Sequence, residues 1–342
     1  MKPPVIDLHE DVSAYFIYHG GGEPLGDFSK DIPGRDVDIP KYIQGNVKLV
    51  FAAIFPGVET FRPEESRKLE EIYGKWLPAV GYRVPQTIVF EHFTIYYRLA
   101  ESYEEFTIVE TVSDAEKVLG ENRKVGLLVH MEGAEAIDDP YDLVLLKRLG
   151  LRSIGLTWNY NNKYGSGCGT KKDFGLTPEG EELVRMANKL GIIIDLAHAS
   201  KKTTLEAIEA SSKPVMISHA NVRKFVDTPR NVDDEILEAL SRNKGVIGLS
   251  VIGPLIAKKP KPSLDDLVQH YLYIYERYGA DIIAIGTDFM GLLGLPAPEG
   301  LESIDKIQSL LEKLMSKGLS DSDLRKIAYE NALRIIKSNI PA

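Results

Sequence analysis

Two residues apart, at the end of the apolar run in "VIDLHEDV", stand His9 and Asp11. An imidazole and a carboxylate on one short stretch are a metal-ligand pair if both can aim at one point. In extended backbone, residues i and i+2 project the same way. His9 and Asp11 are therefore expected to share an ion, with Glu10 facing away. Three further apolar runs end in histidine: "GLLVHMEG" at His130, "IIIDLAHAS" at His198 and "PVMISHAN" at His219. Glu132 closes the "HMEG" segment, where its two oxygens could bridge two ions. Asp288 follows "IIAIGT". Cys168 is the one cysteine, so a thiolate zinc site and an intrachain disulfide are both excluded. Imidazole and carboxylate donors without thiolate suit zinc, manganese, iron or cobalt. Two such ions close together hold a hydroxide between them, lower the pKa of bound water and polarise a carbonyl. Amide hydrolysis needs both actions.

Eight short runs rich in Val and Ile carry the strand signature: Val5–Leu8, Val47–Phe55, Val125–Val129, Ser153–Leu156, Ile192–Leu196, Pro214–Ile217, Val246–Val251 and Ile282–Ile285. Near-continuous apolar strands are buried on both faces, as in parallel sheets. Helical patterns alternate with them. Thr177 and Pro178 read as N-cap and first helical residue, and "SLDD" at Ser263 as a capping box. The pattern predicts an α/β chain folded as one (β/α)8 TIM barrel over residues 1–342, of metal-dependent hydrolase type. A doubly wound sheet fits less well, because no Gly-rich phosphate loop follows the first strand; "GGG" at Gly20–Gly22 is too distant. Residues 63–119, after strand 2, are charged and Tyr-rich and read as a helical insertion. In a barrel the active site forms at the C-terminal ends of the strands, from several strands at once. His9, Asp11, Glu132, His198, His219 and Asp288 all fall there in chain order.

The other polar residues have plainer readings. Asp7 and Asp195 satisfy backbone groups or orient neighbouring histidines. Glu135 and Asp138 read as surface or cap residues. His19, His92 and His270 are assigned no chemistry. The net charge of −9 and pI near 5.4 disfavour nucleic acid and anionic membranes as partners. No apolar stretch approaches the roughly 20 residues a membrane span needs, and a cytoplasmic protein is expected.

In order along the chain, "DLHED", "HMEGAEAID", "LTWNYNN", "IIIDLAHAS", "PVMISHAN", "PRNVDDEIL" and "AIGTDFMG" resemble the membrane (renal) dipeptidase family, zinc metallopeptidases of the amidohydrolase superfamily. The resemblance covers essentially the whole chain. It implies two Zn2+ per subunit, other divalent metals being possible. His9 and Asp11 would hold one ion, His198 and His219 the other, and Glu132 would bridge them. A hydroxide between the ions would attack the peptide bond of a dipeptide. Asp288 would be the catalytic acid/base, and Arg230, in "PRN", would grip the substrate carboxylate with its guanidinium fork. One departure stands out: Trp158 occupies the place of a histidine that polarises the scissile carbonyl in mammalian members. Its indole N–H donates but does not titrate. Trp158, Asn159 or Asn161 would supply the polarising group, or the metals alone. The resemblance also suggests a homodimer, with Tyr73, Tyr82, Tyr96, Tyr97 and Tyr103 as interface or core. Alternatives are another amidohydrolase activity on N-acyl amino acids, lactones or esters, and a non-catalytic peptide-binding barrel, whose mark would be lost ligands.

Overall fold

The structure, a computed structural model, describes residues 2–19, 28–56 and 85–342, with only the backbone of Tyr18, His19 and Pro85. Among these residues nine strands form, all paired in parallel: β1 Val5–Glu10, β2 Val47–Ile54, β3 Phe106–Ile108, β4 Val125–Met131, β5 Leu151–Gly155, β6 Ile193–Asp195, β7 Met216–Ala220, β8 Val246–Leu249 and β9 Ile283–Ile285. Eight of them close on themselves in the order β1-β2-β4-β5-β6-β7-β8-β9, with β9 returning to β1 through Asp7↔Ile285. This is the expected (β/α)8 barrel, and each of the eight apolar runs supplies one of its strands. β2 shows why: all eight of its residues are buried, and Lys48 sends its ammonium out to the carbonyl of Glu121 at 2.8 Å.

Helices cover the barrel. Thr177 caps Pro178–Leu190 by accepting the Gly180 N–H, and Gly191 ends that helix in the left-handed region. Ser263 and Asp266 form the capping box of Leu264–Tyr278. The final helical stretch is not uniform. A π turn, Lys326–Glu330, interrupts it, and beside that turn Asn331 donates to the carbonyls of Ala280 and Ile283 at 2.7 and 2.8 Å.

Of the expected insertion, residues 63–84, with Tyr73 and Tyr82, lie outside the described residues, as does Gly20–Gly22. The described part is not purely helical. Between the helices Pro85–Ser102 and Val112–Gly120 sits β3, paired with Val125–Leu127 of β4. Tyr96 is wholly buried, its hydroxyl donating to the Ala53 carbonyl, whereas Tyr97 keeps about two-fifths of its surface exposed.

Candidate metal centre

Zipping continues past the formal ends of β1 and β9. Asp288 N–H donates to the His9 carbonyl and Asp11 N–H to the Phe289 carbonyl, each at 3.0 Å. Asp7 locks this junction: one carboxylate oxygen accepts from the backbone of His9 (3.2 Å) and Thr287 (2.9 Å), the other from the Thr287 hydroxyl (2.6 Å). Of the two readings of Asp7, backbone satisfaction is the one observed. Asp11 itself lies beyond the strand, with φ −88° and ψ 44°, so the two-residue period alone does not aim it. The turn that follows still brings its Oδ2 to 3.3 Å from His9 Nε2. Glu10 does face away, but it is fully buried and accepts the hydroxyl of Tyr42 rather than reaching solvent.

His198 is three residues past β6, at φ +64°, a conformation uncommon outside glycine. The long connection after β5 holds it there. Gly167 bridges Ala199, Cys168 N–H donates to the His198 carbonyl at 2.7 Å, and Ser200 N–H donates to Ser166 at 2.8 Å. That connection is itself tightly folded: a Cβ on Gly167 would sit 2.4 Å from the Trp158 carbonyl oxygen. The same connection supplies Asn159, whose Oδ1 accepts from His198 Nδ1 at 2.7 Å and from the Cys168 thiol at 3.3 Å. His219 is tied differently. The Ser218 hydroxyl donates to Asp195 at 2.6 Å and so accepts from His219 Nδ1 at 2.8 Å. Both rings therefore carry their proton on Nδ1 and turn a bare Nε2 inward.

Those bare nitrogens converge. His198 and His219 Nε2 are 2.9 Å apart and lie 2.9 and 3.3 Å from Glu132 Oε1. Three buried acceptors this close repel one another unless a cation joins them. Neither ring provides it by protonation: burial, then the charges of Arg230 and His9, push both histidines well below their ordinary pKa. His9 behaves oppositely. Burial opposes its protonation, but Glu132, Asp11 and Asp288 raise it to about 10. Burial lifts Glu132 to about 7 against the pull of His9, with Asp11 adding to the rise. Burial also holds Asp288 well above the usual carboxylate range, His9 opposing and Asp11 and Glu132 reinforcing. Three sets of donor atoms lie within 4.8 Å of one another: His9, Asp11 and Glu132; Glu132, His198 and His219; His9, His219 and Asp288. Nitrogen and oxygen donors in such sets, with the His198 and His219 protons held on Nδ1 by their hydrogen bonds, fit divalent metal.

The structure thus brings together all six residues singled out at strand ends. Arg230 joins them, its Nη2 donating to His198 Nε2 at 3.0 Å. Trp158 stands over His198, ring centroids 5.8 Å apart, and lines the cavity. Asn159 also borders the cavity, but its carbonyl oxygen is engaged with His198. Glu135 is no surface residue: it is partly buried and accepts from Trp158 N–H at 3.0 Å and Asn162 at 3.1 Å, bracing the loop that carries Trp158. His130, buried 5.3 Å from the His9 ring, approaches Asp195 at 3.3 Å and Ser153 at 3.0 Å. His92 meets Ser13 at 2.6 Å, just beyond Asp11. The bracing roles of Glu135, His92 and Ser218 escaped the sequence, since each depends on a partner distant in the chain or on a hydroxyl that any strand could carry.

The sequence profile of the family described as "Membrane dipeptidase (Peptidase family M19)" matches residues 1–340. The chain is 28% identical to Dipeptidase tcpJ of Claviceps purpurea over 90% of its own length and 70% of that protein's. It is likewise 28% identical to an uncharacterized dipeptidase of Schizosaccharomyces pombe, over 98% of this chain and 80% of that one. The fold superposes with a TM-score of 0.84 on the crystal structure of a metallo peptidase from Rhodobacter sphaeroides liganded with a phosphinate mimic of the dipeptide L-Ala-D-Ala. That pair is 22% identical, over 99% of this chain and 100% of the other. No helix among the described residues is long and apolar enough to cross a membrane.

Proposed function

Because the chain belongs to the membrane dipeptidase family, peptidase family M19, we propose that it is a metal-dependent dipeptidase with two zinc ions per chain. His9 and Asp11 would hold one ion, His198 and His219 the other, and Glu132 both. Bound there, the ions supply a water of lowered pKa and polarise the scissile carbonyl. The remaining work falls to side chains of this chain. Asp288, 3.9 Å from His9 and 3.8 Å from His219, would face the attacking water and the leaving nitrogen. It takes the water's proton and returns one to the departing amine. Without the ions, burial and two neighbouring carboxylates hold Asp288 well above the usual carboxylate range; bound cations would favour its ionised form, the form that accepts the water's proton. Arg230 pairs with the carboxylate of the substrate through its planar fork. It is the one Lys or Arg among the described residues of the cavity wall, so a free carboxylate has a single place to bind. Asn159 keeps the proton of His198 on Nδ1, and Trp158 shields that histidine from water.

What carries the reading is the meeting of two unprotonated imidazole nitrogens on one Glu132 oxygen, with three further donor residues around them. The test is turnover of a dipeptide panel by zinc-loaded protein, with metal content measured in parallel. Arg230→Ala should lower kcat/KM by about 10- to 150-fold, the range of a charged hydrogen bond, through KM. Absence of turnover on every dipeptide, with metal bound, would sink the proposal.

A further inference from the structure

The cavity above the candidate ligands encloses about 660 Å³, within the range of roughly 300–1,000 Å³ typical of small-molecule sites. Among the described residues its charges are on the floor: Asp11, Glu132 and Asp288 lie there with His198, and Arg230 stands beside that histidine. Above the floor the described wall is apolar on two opposite sides. Phe55, at the end of β2, packs on Trp158 with centroids 5.3 Å apart, and Trp158 on Tyr160 at 5.9 Å, both from the connection after β5. Across the barrel, the connections after β8 and β9 contribute Leu255, Met290 and Leu293. Two members are strongly exposed, Tyr160 at 65% and Leu293 at 77%, and so leave apolar surface open to a ligand. Among the described residues neither side offers a charged group to a substrate side chain.

Resting on the dipeptidase reading, we infer that the substrate class is dipeptides with apolar side chains at both positions, one against the aromatic wall and one against the aliphatic wall. The floor takes the polar parts of such a molecule: its carboxylate goes to Arg230, its reacting carbonyl lies over the donor cluster, and its ammonium is left to the acidic lining of Asp11, Glu132 and Asp288. The two side chains then remain, and both walls remove apolar surface from water. A charged side chain would be stripped of water there with no partner.

The experiment uses the full zinc-reconstituted chain and kcat/KM for Gly-Gly, Leu-Gly, Gly-Leu, Asp-Gly, Gly-Asp, Lys-Gly and Gly-Lys. Burying a leucine side chain is expected to raise kcat/KM about tenfold or more over Gly-Gly, with the Leu members exceeding their Asp and Lys counterparts by at least that factor. If any charged member matches its Leu counterpart while Gly-Gly is turned over, the inference is wrong and the dipeptidase reading stands. If no member is turned over with metal bound, the dipeptidase reading itself falls. Leu293→Lys, at an exposed position that tolerates the change, should raise the rate on an Asp member relative to its Leu counterpart several-fold. An unchanged ratio at both ends would overturn the assignment of that wall to a substrate side chain.

Discussion

Replacing Asn159 by leucine separates two roles for this residue. As a polarising group it would act on the substrate carbonyl. In the structure its Oδ1 instead receives the Nδ1 proton of His198 at 2.7 Å. Leucine is close in size and removes that acceptor, leaving the ring free to rotate or to carry its proton on Nε2, the nitrogen turned toward Glu132. Partners of this kind contribute about 10- to 100-fold in metal affinity, or about 1.4–2.7 kcal/mol. The upper half of the range is expected here. His198 is already strained at φ +64°, and the side-chain donor at its Nε2, Arg230, is itself a cation and cannot replace Asn159 as an acceptor for the Nδ1 proton. The assay is a competitive zinc titration against a chromogenic chelator at fixed pH, with far-UV circular dichroism to confirm folding. Asn159→Asp keeps the acceptor and should bind zinc at least as tightly as the parent. If Asn159→Leu binds zinc normally and loses only kcat, the residue acts on the substrate and the hydrogen-bond reasoning is refuted.

Gly291→Ala would place a methyl group 2.3 Å from both Asp11 Oδ2 and Asp288 Oδ1; elemental analysis should show metal content falling by half or more, and full occupancy would contradict the packing argument. Asp7→Ala strands three buried donors at the β1–β9 junction, and with roughly 1–3 kcal/mol for each the loss in a denaturant titration should be about 3 kcal/mol or more. Metal uptake should release protons, because without the ion His9 titrates near 10 and Glu132 near 7, and both must be deprotonated to bind. The sign follows: affinity falls as pH drops, about tenfold per pH unit for each proton displaced, and calorimetry in buffers of different ionisation enthalpy counts them. An affinity independent of pH between 6 and 8 would contradict it.

The barrel was legible because its information is local. Strands buried on both faces need unbroken apolar runs, helices need caps such as Thr177 and Ser263, and both can be read within a few residues. The strand ends pointed to His9, Asp11, Glu132, His198, His219 and Asp288 because a closed parallel barrel gathers those ends in one place. The insertion was less legible: β3 is three residues long and owes its existence to an exposed edge of β4, which no pattern within Phe106–Ile108 encodes.

The chain by itself therefore determined which donor atoms are available and that they meet. How they meet was decided by contacts between residues far apart. Asp7 reaches Thr287 across 280 positions, and Asn159 reaches His198 across 39. Glu135, read as a surface residue, proves to brace the Trp158 loop. His198 adopts its left-handed backbone only because Gly167 and Cys168 bond its segment from another loop. The protonated nitrogen of an imidazole and the direction of a carboxylate are set by the nearest hydrogen-bond partner. Sequence specifies that partner only after folding has brought it near.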